Sequence, residues 1–100
     1  MKPVVLHSVA ASEIEDAAER YNGLQAGLGD EFEDKVEETL RLIARQPKAF
    51  SPYPGGYRKC YLGKRFSYSI FYREYDDHVW VAAVYHTSRE PDAWKDRTPE

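Results

Sequence analysis

Cysteine is nearly missing from this sequence, since Cys60 is the only one in 100 residues. A lone cysteine cannot form a disulfide within the chain, which excludes a disulfide-stapled secreted scaffold. Long hydrophobic runs are missing too, because the first apolar stretch, Val4–Leu6, ends after three residues. That stretch is too short for a signal peptide or a membrane span. We therefore expect a cytoplasmic protein without a membrane segment.

The length and composition allow one hydrophobic core. With 42% hydrophobic residues in a chain of 100, one compact core can form but not two independent ones. We therefore expect residues 1–100 to form a single domain.

Acidic residues are missing from one third of the chain. Residues 41–73 hold eight basic side chains and no acidic one, although the net charge is -3. Residues 1–40 carry three basic and ten acidic side chains, and residues 74–100 carry three basic and seven acidic ones. The basic segment predicts a positive surface that attracts phosphates or an acidic partner. A solvated basic face without a partner is the competing interpretation.

Two amphipathic helices are predicted in the first half of the sequence. Ser12 and Glu15 have the spacing of a capping box, which places the start of the first helix at Ser12. A second helix is expected from about Asp30, and Pro47 ends it. Its buried stripe is predicted to consist of Phe32, Val36, Leu40 and Ile43.

From Tyr57 onward the apolar residues alternate with period two, which predicts strands. The predicted strands are residues 57–62, 66–75 and 79–87, with a further first strand at residues 3–9. Residues 51–56, with two prolines and two glycines, are predicted to form a loop. The fold class is therefore α+β, in the order β-α-α-β-β-β. A helical hairpin is expected on one face of a mainly antiparallel sheet.

Side chains of the predicted middle strand are assigned to two faces by their alternation. The set expected beneath the helices is Phe66, Tyr68, Ile70 and Tyr72. The opposite set leaves Arg65 and Arg73 on the open face of the sheet.

Four strings of the sequence resemble one known family. They are Gly27–Phe32, Val36–Ile43 followed by Pro47, Arg65–Arg73, and Val81–His86 followed by Arg89–Trp94. In this order they are similar to the RelE/ParE toxin superfamily of type II toxin–antitoxin systems, over nearly the whole chain. The resemblance implies a two-layer fold, plasmid stabilization, a cognate antitoxin of the ParD-like or RelB-like kind, and growth arrest when that antitoxin is lost.

One string departs from the pattern of that family. Where Phe-Pro-Tyr is common, this chain has Phe66, Ser67 and Tyr68. We expect the change to leave the strand undisturbed.

The superfamily divides by target. RelE-like members cut messenger RNA on the ribosome, whereas ParE-like members poison DNA gyrase. The segment from His86 to Trp94 looks more like the ParE side, and we therefore expect a gyrase inhibitor. A ribosome-dependent endoribonuclease is the alternative, and a member that has lost toxicity and only pairs with its antitoxin is a third interpretation.

The ribonuclease alternative has candidate residues. Such chemistry requires a base, an acid and cations for the extra phosphate charge. His86 is the candidate for either proton role, because a free histidine titrates at ~6.5. Arg65 and Arg73 would hold the phosphate. A structural histidine is the competing interpretation, and the neighbouring Tyr85 is expected to point to the opposite sheet face, where it could not assist.

The gyrase interpretation requires a charged and aromatic surface. The candidates for target binding are Arg58, Lys59, Arg65, Arg89 and Trp94. For Trp94, folding back onto the core is an equally good interpretation. Removal of the chain from Arg89 onward is expected to abolish toxicity and leave the fold intact.

Two further expectations concern ligands. His7 and His78 lack the spacing of metal ligands, so neither a metal site nor a cofactor is predicted. The eight tyrosines exceed what so small a core buries with every hydroxyl bonded. Several should therefore lie at the surface, where a short amphipathic antitoxin segment would cover them across the helices or at a sheet edge.

Overall fold

The structure is a computed structural model that describes residues 1–100 and contains two helices and five strands. The elements are β1 (Val4–Leu6), α1 (Ser8–Leu24), α2 (Leu28–Arg45), β2 (Ser51–Tyr53), β3 (Tyr57–Tyr61), β4 (Tyr68–Glu74) and β5 (Val79–His86). The three long predicted strands are confirmed to within two residues at each end. The prediction of a loop over residues 51–56 was wrong for the first three of these residues, which form β2. This short edge strand accommodates Pro52, because an edge position does not need every N–H.

The five strands form one sheet in the order β1-β5-β4-β3-β2. β1 runs parallel to β5, with Val4 opposite Val79, and every other neighbouring pair is antiparallel. The helical hairpin connects β1 at one edge of the sheet to β2 at the opposite edge, and β3, β4 and β5 then lead back to β1. The predicted mainly antiparallel sheet with both helices on one face is confirmed. Neither helix has the length and apolar composition that a membrane span requires.

The first helix begins at Ser8 rather than at Ser12. The His7 side chain caps it, because its Nδ1 accepts a hydrogen bond from the Val9 N–H at 3.1 Å. Ser12 lies inside the helix and donates its hydroxyl to the Ser8 carbonyl at 3.2 Å. The predicted capping box was therefore wrong, and β1 is shorter than predicted because the helix starts directly after it.

A tight turn joins the two helices. Gly27 has a φ of 89°, in the left-handed region that favours glycine. The Asn22 side-chain oxygen accepts hydrogen bonds from the N–H groups of Gly27 and Gly29 at 3.1 and 2.8 Å. The predicted stripe of α2 is confirmed: Phe32, Val36 and Ile43 are buried and Leu40 is partly buried.

The main core lies between the helices and the sheet. The four side chains predicted beneath the helices, Phe66, Tyr68, Ile70 and Tyr72, are all buried there. The strand begins only at Tyr68, because Ser67 adopts a φ of 56°. A proline at this position, with φ fixed near ~-65°, could not adopt that conformation.

A second aromatic cluster covers the sheet face away from the helices. Its largest members are Tyr57, Phe71, Trp80, Tyr85 and Trp94. Aromatic residues from β3, β4 and β5 make this face apolar, and burying it against the chain that follows β5 removes that area from water. We call residues 87–100 the C-terminal segment. The face predicted to be open is thus partly covered.

Four of the eight tyrosine hydroxyls have a hydrogen-bond partner within the fold. Tyr21 and Tyr72 donate their hydroxyls to the carbonyls of Phe66 and Pro47, at 2.8 and 2.6 Å. Tyr61 is the most exposed of the eight, with 49% of its surface accessible. The expectation of several exposed tyrosines was therefore wrong.

Candidate functional site

His86 lies at the end of β5 on the helix side of the sheet. Its position depends on a β-bulge, since the register with β4 shifts between Phe71 and Tyr72 and leaves Ala82 without a partner. Before the bulge Val81 belongs to the helix-side core, and after it Val84 does. The extra residue inverts the alternation, so that His86 stands beside Tyr68, with ring centroids 5.1 Å apart.

The ring of His86 makes a local hydrogen bond with Ser88. Its Nδ1 lies 3.0 Å from the Ser88 backbone N–H, which donates to it, and 2.7 Å from the Ser88 hydroxyl. Nδ1 is therefore occupied by a local hydrogen bond and is not free to take a proton from a substrate.

A cleft of about 450 Å³ adjoins His86 between α1 and the end of β5. Two arginines, Arg20 and Arg89, line it together with two carboxylates, Glu13 and Asp16. Glu13 is shared between Arg97, at 2.8 Å, and Arg89, at 3.5 Å, and Asp16 adds a second carboxylate to the wall. Arg20 is also engaged, because it donates a hydrogen bond to the Tyr68 hydroxyl.

Arg65 does not lie on the open face of the sheet. Its guanidinium donates to the Glu31 carboxylate of α2 at 2.6 Å. The prediction failed because Arg65 precedes the left-handed Ser67, so the alternation of β4 does not extend to it.

Arg73 does lie on the face away from the helices, as predicted. Its guanidinium stands 4.1 Å from the Tyr57 ring centroid and donates to the Gly55 carbonyl at 2.6 Å. Along β4 it is five residues from Tyr68, which pairs with His86, or roughly 17 Å at the rise of a strand. Tyr85 belongs to the cluster away from the helices, opposite His86, as predicted. The three candidate ribonuclease residues therefore do not meet.

The candidates for target binding are divided between the two faces of the sheet. Arg58 shares a strand face with the buried Cys60 and donates to the Phe50 carbonyl at 2.8 Å. Lys59 points to the other face, 6.0 Å from the Phe71 ring centroid, and takes part in no ion pair of the chain. Arg89 lies over the ring of Tyr85 at 4.0 Å.

Trp94 is buried rather than presented to a partner. Its exposure is 1%, and its ring lies 4.5 Å from Phe71 and 4.8 Å from Tyr57, centroid to centroid. The expectation that Trp94 is presented at the surface was wrong, because the apolar face of the sheet provides an aromatic slot for it. The alternative interpretation, that it folds back onto the core, is confirmed.

Lys59, Arg89 and Trp94 nevertheless line one cavity of about 180 Å³, which we call the Trp94 cavity. The other lining residues are Tyr53, Ser69, Phe71, Tyr85, His86, Thr87, Pro91 and Asp92. Sequence reasoning missed Ser69. The available signal was a small polar residue between aromatics on one face of β4.

The structure brings together no group of three or more histidine, cysteine, aspartate or glutamate side chains that could hold a metal ion. His7 caps α1, and His78 Nδ1 lies 2.7 Å from the Asp77 carboxylate beside the turn after β4. Both histidines are therefore accounted for by local structure.

Comparison with known proteins agrees with this fold. Residues 4–91 match the family described as ParE toxin of type II toxin-antitoxin system, parDE. The solved structure described as the chromosomal ParDE TA system from P. aeruginosa is similar, with a TM-score of 0.64 and 14% identity, over 86% of this chain and 96% of that one. No curated protein sequence matches this chain. The family match spans most of the sequence, and the chain belongs to the ParE toxin family of type II toxin–antitoxin systems.

Proposed function

We propose that this protein arrests growth by binding and inhibiting DNA gyrase, and that its cognate antitoxin neutralises it. The observation that carries the proposal is the separation of the candidate ribonuclease residues. His86 and Arg65 lie on the helix side of the sheet, with Arg65 paired to Glu31, while Arg73 lies at the far end of β4 on the opposite face.

The surroundings of His86 also argue against cleavage of RNA. Transition-state charge on a phosphate is stabilised by cations aimed at it. In the cleft beside His86, Arg20 already donates to the Tyr68 hydroxyl, and the carboxylate of Asp16 lies in the same wall. The bond from Ser88 further keeps the ring from acting as a base through Nδ1. A binding mode of action needs none of this chemistry.

The surface that suits a protein target lies on the face away from the helices. Lys59 and Tyr61 project from β3 on that face, and Thr87 lies beside them. Arg89 continues the surface at the edge of the Trp94 cavity. We call Lys59, Tyr61, Thr87 and Arg89 the target surface. It combines two cations with an exposed aromatic ring, a composition common in interface anchors, and Lys59 and Tyr61 are held by β3.

The test compares gyrase with the ribosome. Purified protein should inhibit DNA supercoiling by gyrase and leave messenger RNA intact on translating ribosomes. The double variant Lys59→Ala/Arg89→Ala should lose at least about tenfold in inhibition, the size expected for two interface cations. The matched control is Lys64→Ala, which removes a lysine outside the target surface and should inhibit normally.

Addition of the antitoxin encoded beside the gene should restore supercoiling. Cleavage of messenger RNA together with unimpaired gyrase would overturn the proposal and favour the ribonuclease alternative.

A further inference from the structure

Two buried polar groups of this protein have no hydrogen-bond partner. They are the Ser69 hydroxyl and the Trp94 indole N–H, each with less than 1 Å² of accessible surface. Both residues are only 1% exposed and both line the Trp94 cavity. Buried polar groups are nearly always satisfied, so two unpartnered groups at one cavity point to a missing partner.

The chemistry of the two groups restricts that partner. An indole N–H can only donate, so the partner must offer an acceptor atom. A hydroxyl can donate as well. A ligand with two acceptor oxygens, held close together, would satisfy both groups.

The charges around the cavity favour an anion with a single charge. Lys59 and Arg89 are cationic, and Asp92 is the one carboxylate in the wall. Asp92 is already engaged, because it accepts the Tyr53 hydroxyl at 2.6 Å and lies 3.5 Å from the Lys95 ammonium. Arg89 makes only a long contact of 3.5 Å to Glu13, and Lys59 has no carboxylate partner. The wall therefore has one positive charge in excess.

We propose that the Trp94 cavity binds a single carboxylate, supplied by an acidic side chain of a bound polypeptide. The inference rests on the proposed function, since it places an anchor for the protein partner beside the target surface. A cavity of about 180 Å³ holds one such group and is smaller than the pockets that take nucleotides or other drug-sized ligands.

Entry requires a displacement of the C-terminal segment. The two unpartnered groups are closed to solvent, and Arg89 and Trp94 lie on that segment. Binding of the ligand therefore opens the closed arrangement. In the open arrangement, the Trp94 indole N–H and the Ser69 hydroxyl are hydrogen-bonded to the ligand. Binding should be coupled to movement of the Trp94 ring, so a change in the environment of that ring reports binding directly.

The test uses acetate as the probe and the full chain. In ¹⁵N-labelled protein, the indole N–H resonances of Trp80 and Trp94 are assigned with the variant Trp80→Phe. Sodium acetate should shift the Trp94 resonance in a saturable manner and leave that of Trp80 in place. Sodium chloride at equal ionic strength should have no such effect.

Variants test the named groups. Ser69→Ala and Lys59→Ala should each weaken acetate binding at least about fivefold, as the loss of a charge-assisted hydrogen bond predicts. Lys64→Ala is the matched control and should bind normally. Ser69→Ala should unfold at the same or a higher temperature than the wild type, because it removes an unsatisfied group.

Three results would overturn the inference. They are the absence of a saturable shift with acetate, an equal shift with chloride, and tighter binding of inorganic phosphate than of acetate. The gyrase assay separates this failure from failure of the proposed function. If the protein inhibits supercoiling but does not bind acetate, the inference about the cavity is wrong. If it binds acetate but does not inhibit supercoiling, the proposed action on gyrase is wrong.

The source of the carboxylate is resolved by two binding measurements. Ser69→Ala is compared with wild type for its affinity for the antitoxin and for gyrase. A loss in one of them identifies the polypeptide that fills the cavity, and no loss in either overturns the inference.

Discussion

Glu13 and Arg97, which are 84 residues apart, are joined by two hydrogen bonds of 2.8 Å in a forked arrangement. Arg97 also donates to the Ala82 carbonyl at 3.0 Å, and Glu13 accepts the Val84 N–H at 3.2 Å. β1 pairs with β5 only as far as Val81. The ion pair therefore provides hydrogen-bond partners for the part of the β5 edge that β1 does not cover. It also fixes the C-terminal segment to α1.

Loss of this ion pair should destabilise the protein strongly. Arg97→Ala leaves the Glu13 carboxylate, which is only 10% exposed, without its partner. We expect the free energy of unfolding to fall by about 3 kcal/mol, as for a buried pair that loses one member. Urea denaturation measures this. The control is Arg41→Ala, which removes an exposed pair with Glu37 and should cost less than about 0.5 kcal/mol.

Two glycines of the hairpin should respond to alanine in opposite directions. A Cβ added at Gly29 would lie 2.0 Å from the Ala18 carbonyl oxygen, whereas one at Gly23 would meet nothing within 4 Å. Gly29→Ala should lower the free energy of unfolding by about 3 kcal/mol through overpacking. Gly23→Ala should raise it by about 0.5 kcal/mol, because Gly23 is helical. Equal effects in thermal unfolding would contradict the close contact of the helices.

Removal of residues 89–100 should destabilise the fold, contrary to the expectation from the sequence. The deletion removes Trp94, which packs in the aromatic cluster, and Arg97, which donates a hydrogen bond to the edge of β5. The single change Trp94→Ala should already cost about 3 to 5 kcal/mol. Asp96→Ala, at an exposed position of the same segment, should stay within about 0.5 kcal/mol. Calorimetry would contradict the prediction if the deletion kept the wild-type melting temperature.

Glu74 should make stability depend on pH. Hydrogen bonds from Lys2 and Lys48, at 2.8 and 2.9 Å, hold the pKa of its carboxyl below the ordinary 4.5. A carboxyl with a lowered pKa in the folded state contributes stability above its unfolded value and loses it as the pH falls through the folded value. Glu74→Gln should therefore be less stable than wild type near neutral pH, and the difference should vanish well below pH 4.5.

The measurement for Glu74 is urea denaturation over a series of pH values. Glu33→Gln, at an exposed position of α2, is the control and should show no such difference. A gap between Glu74→Gln and wild type that persists in acid would mean that packing, and not charge, stabilises Glu74.

Replacement of His86 should leave toxicity largely intact. A catalytic proton-transfer group contributes about 10² to 10⁴ in rate, so its loss would abolish a nuclease. His86 instead accepts a local hydrogen bond from Ser88. His86→Ala should still arrest growth when expressed without antitoxin. Loss of growth arrest at unchanged thermal stability would contradict the binding mechanism.

The sequence by itself determined the elements and their faces wherever a single period is sustained. The stripe Phe32, Val36 and Ile43 and the alternation of β4 were readable because burial of one face imposes that period on the chain. The order of the elements and the resemblance led to the correct fold and family.

The tertiary structure alone decided which candidate residues share a site. The bulge at Ala82 inverts the alternation and moves His86 to the helix side, and the left-handed Ser67 removes Arg65 from the sheet. The pairing of Glu13 with Arg97 and the burial of Trp94 join residues distant in sequence. Local periodicity contains no information about such contacts, because they depend on where separate elements meet after the chain has folded.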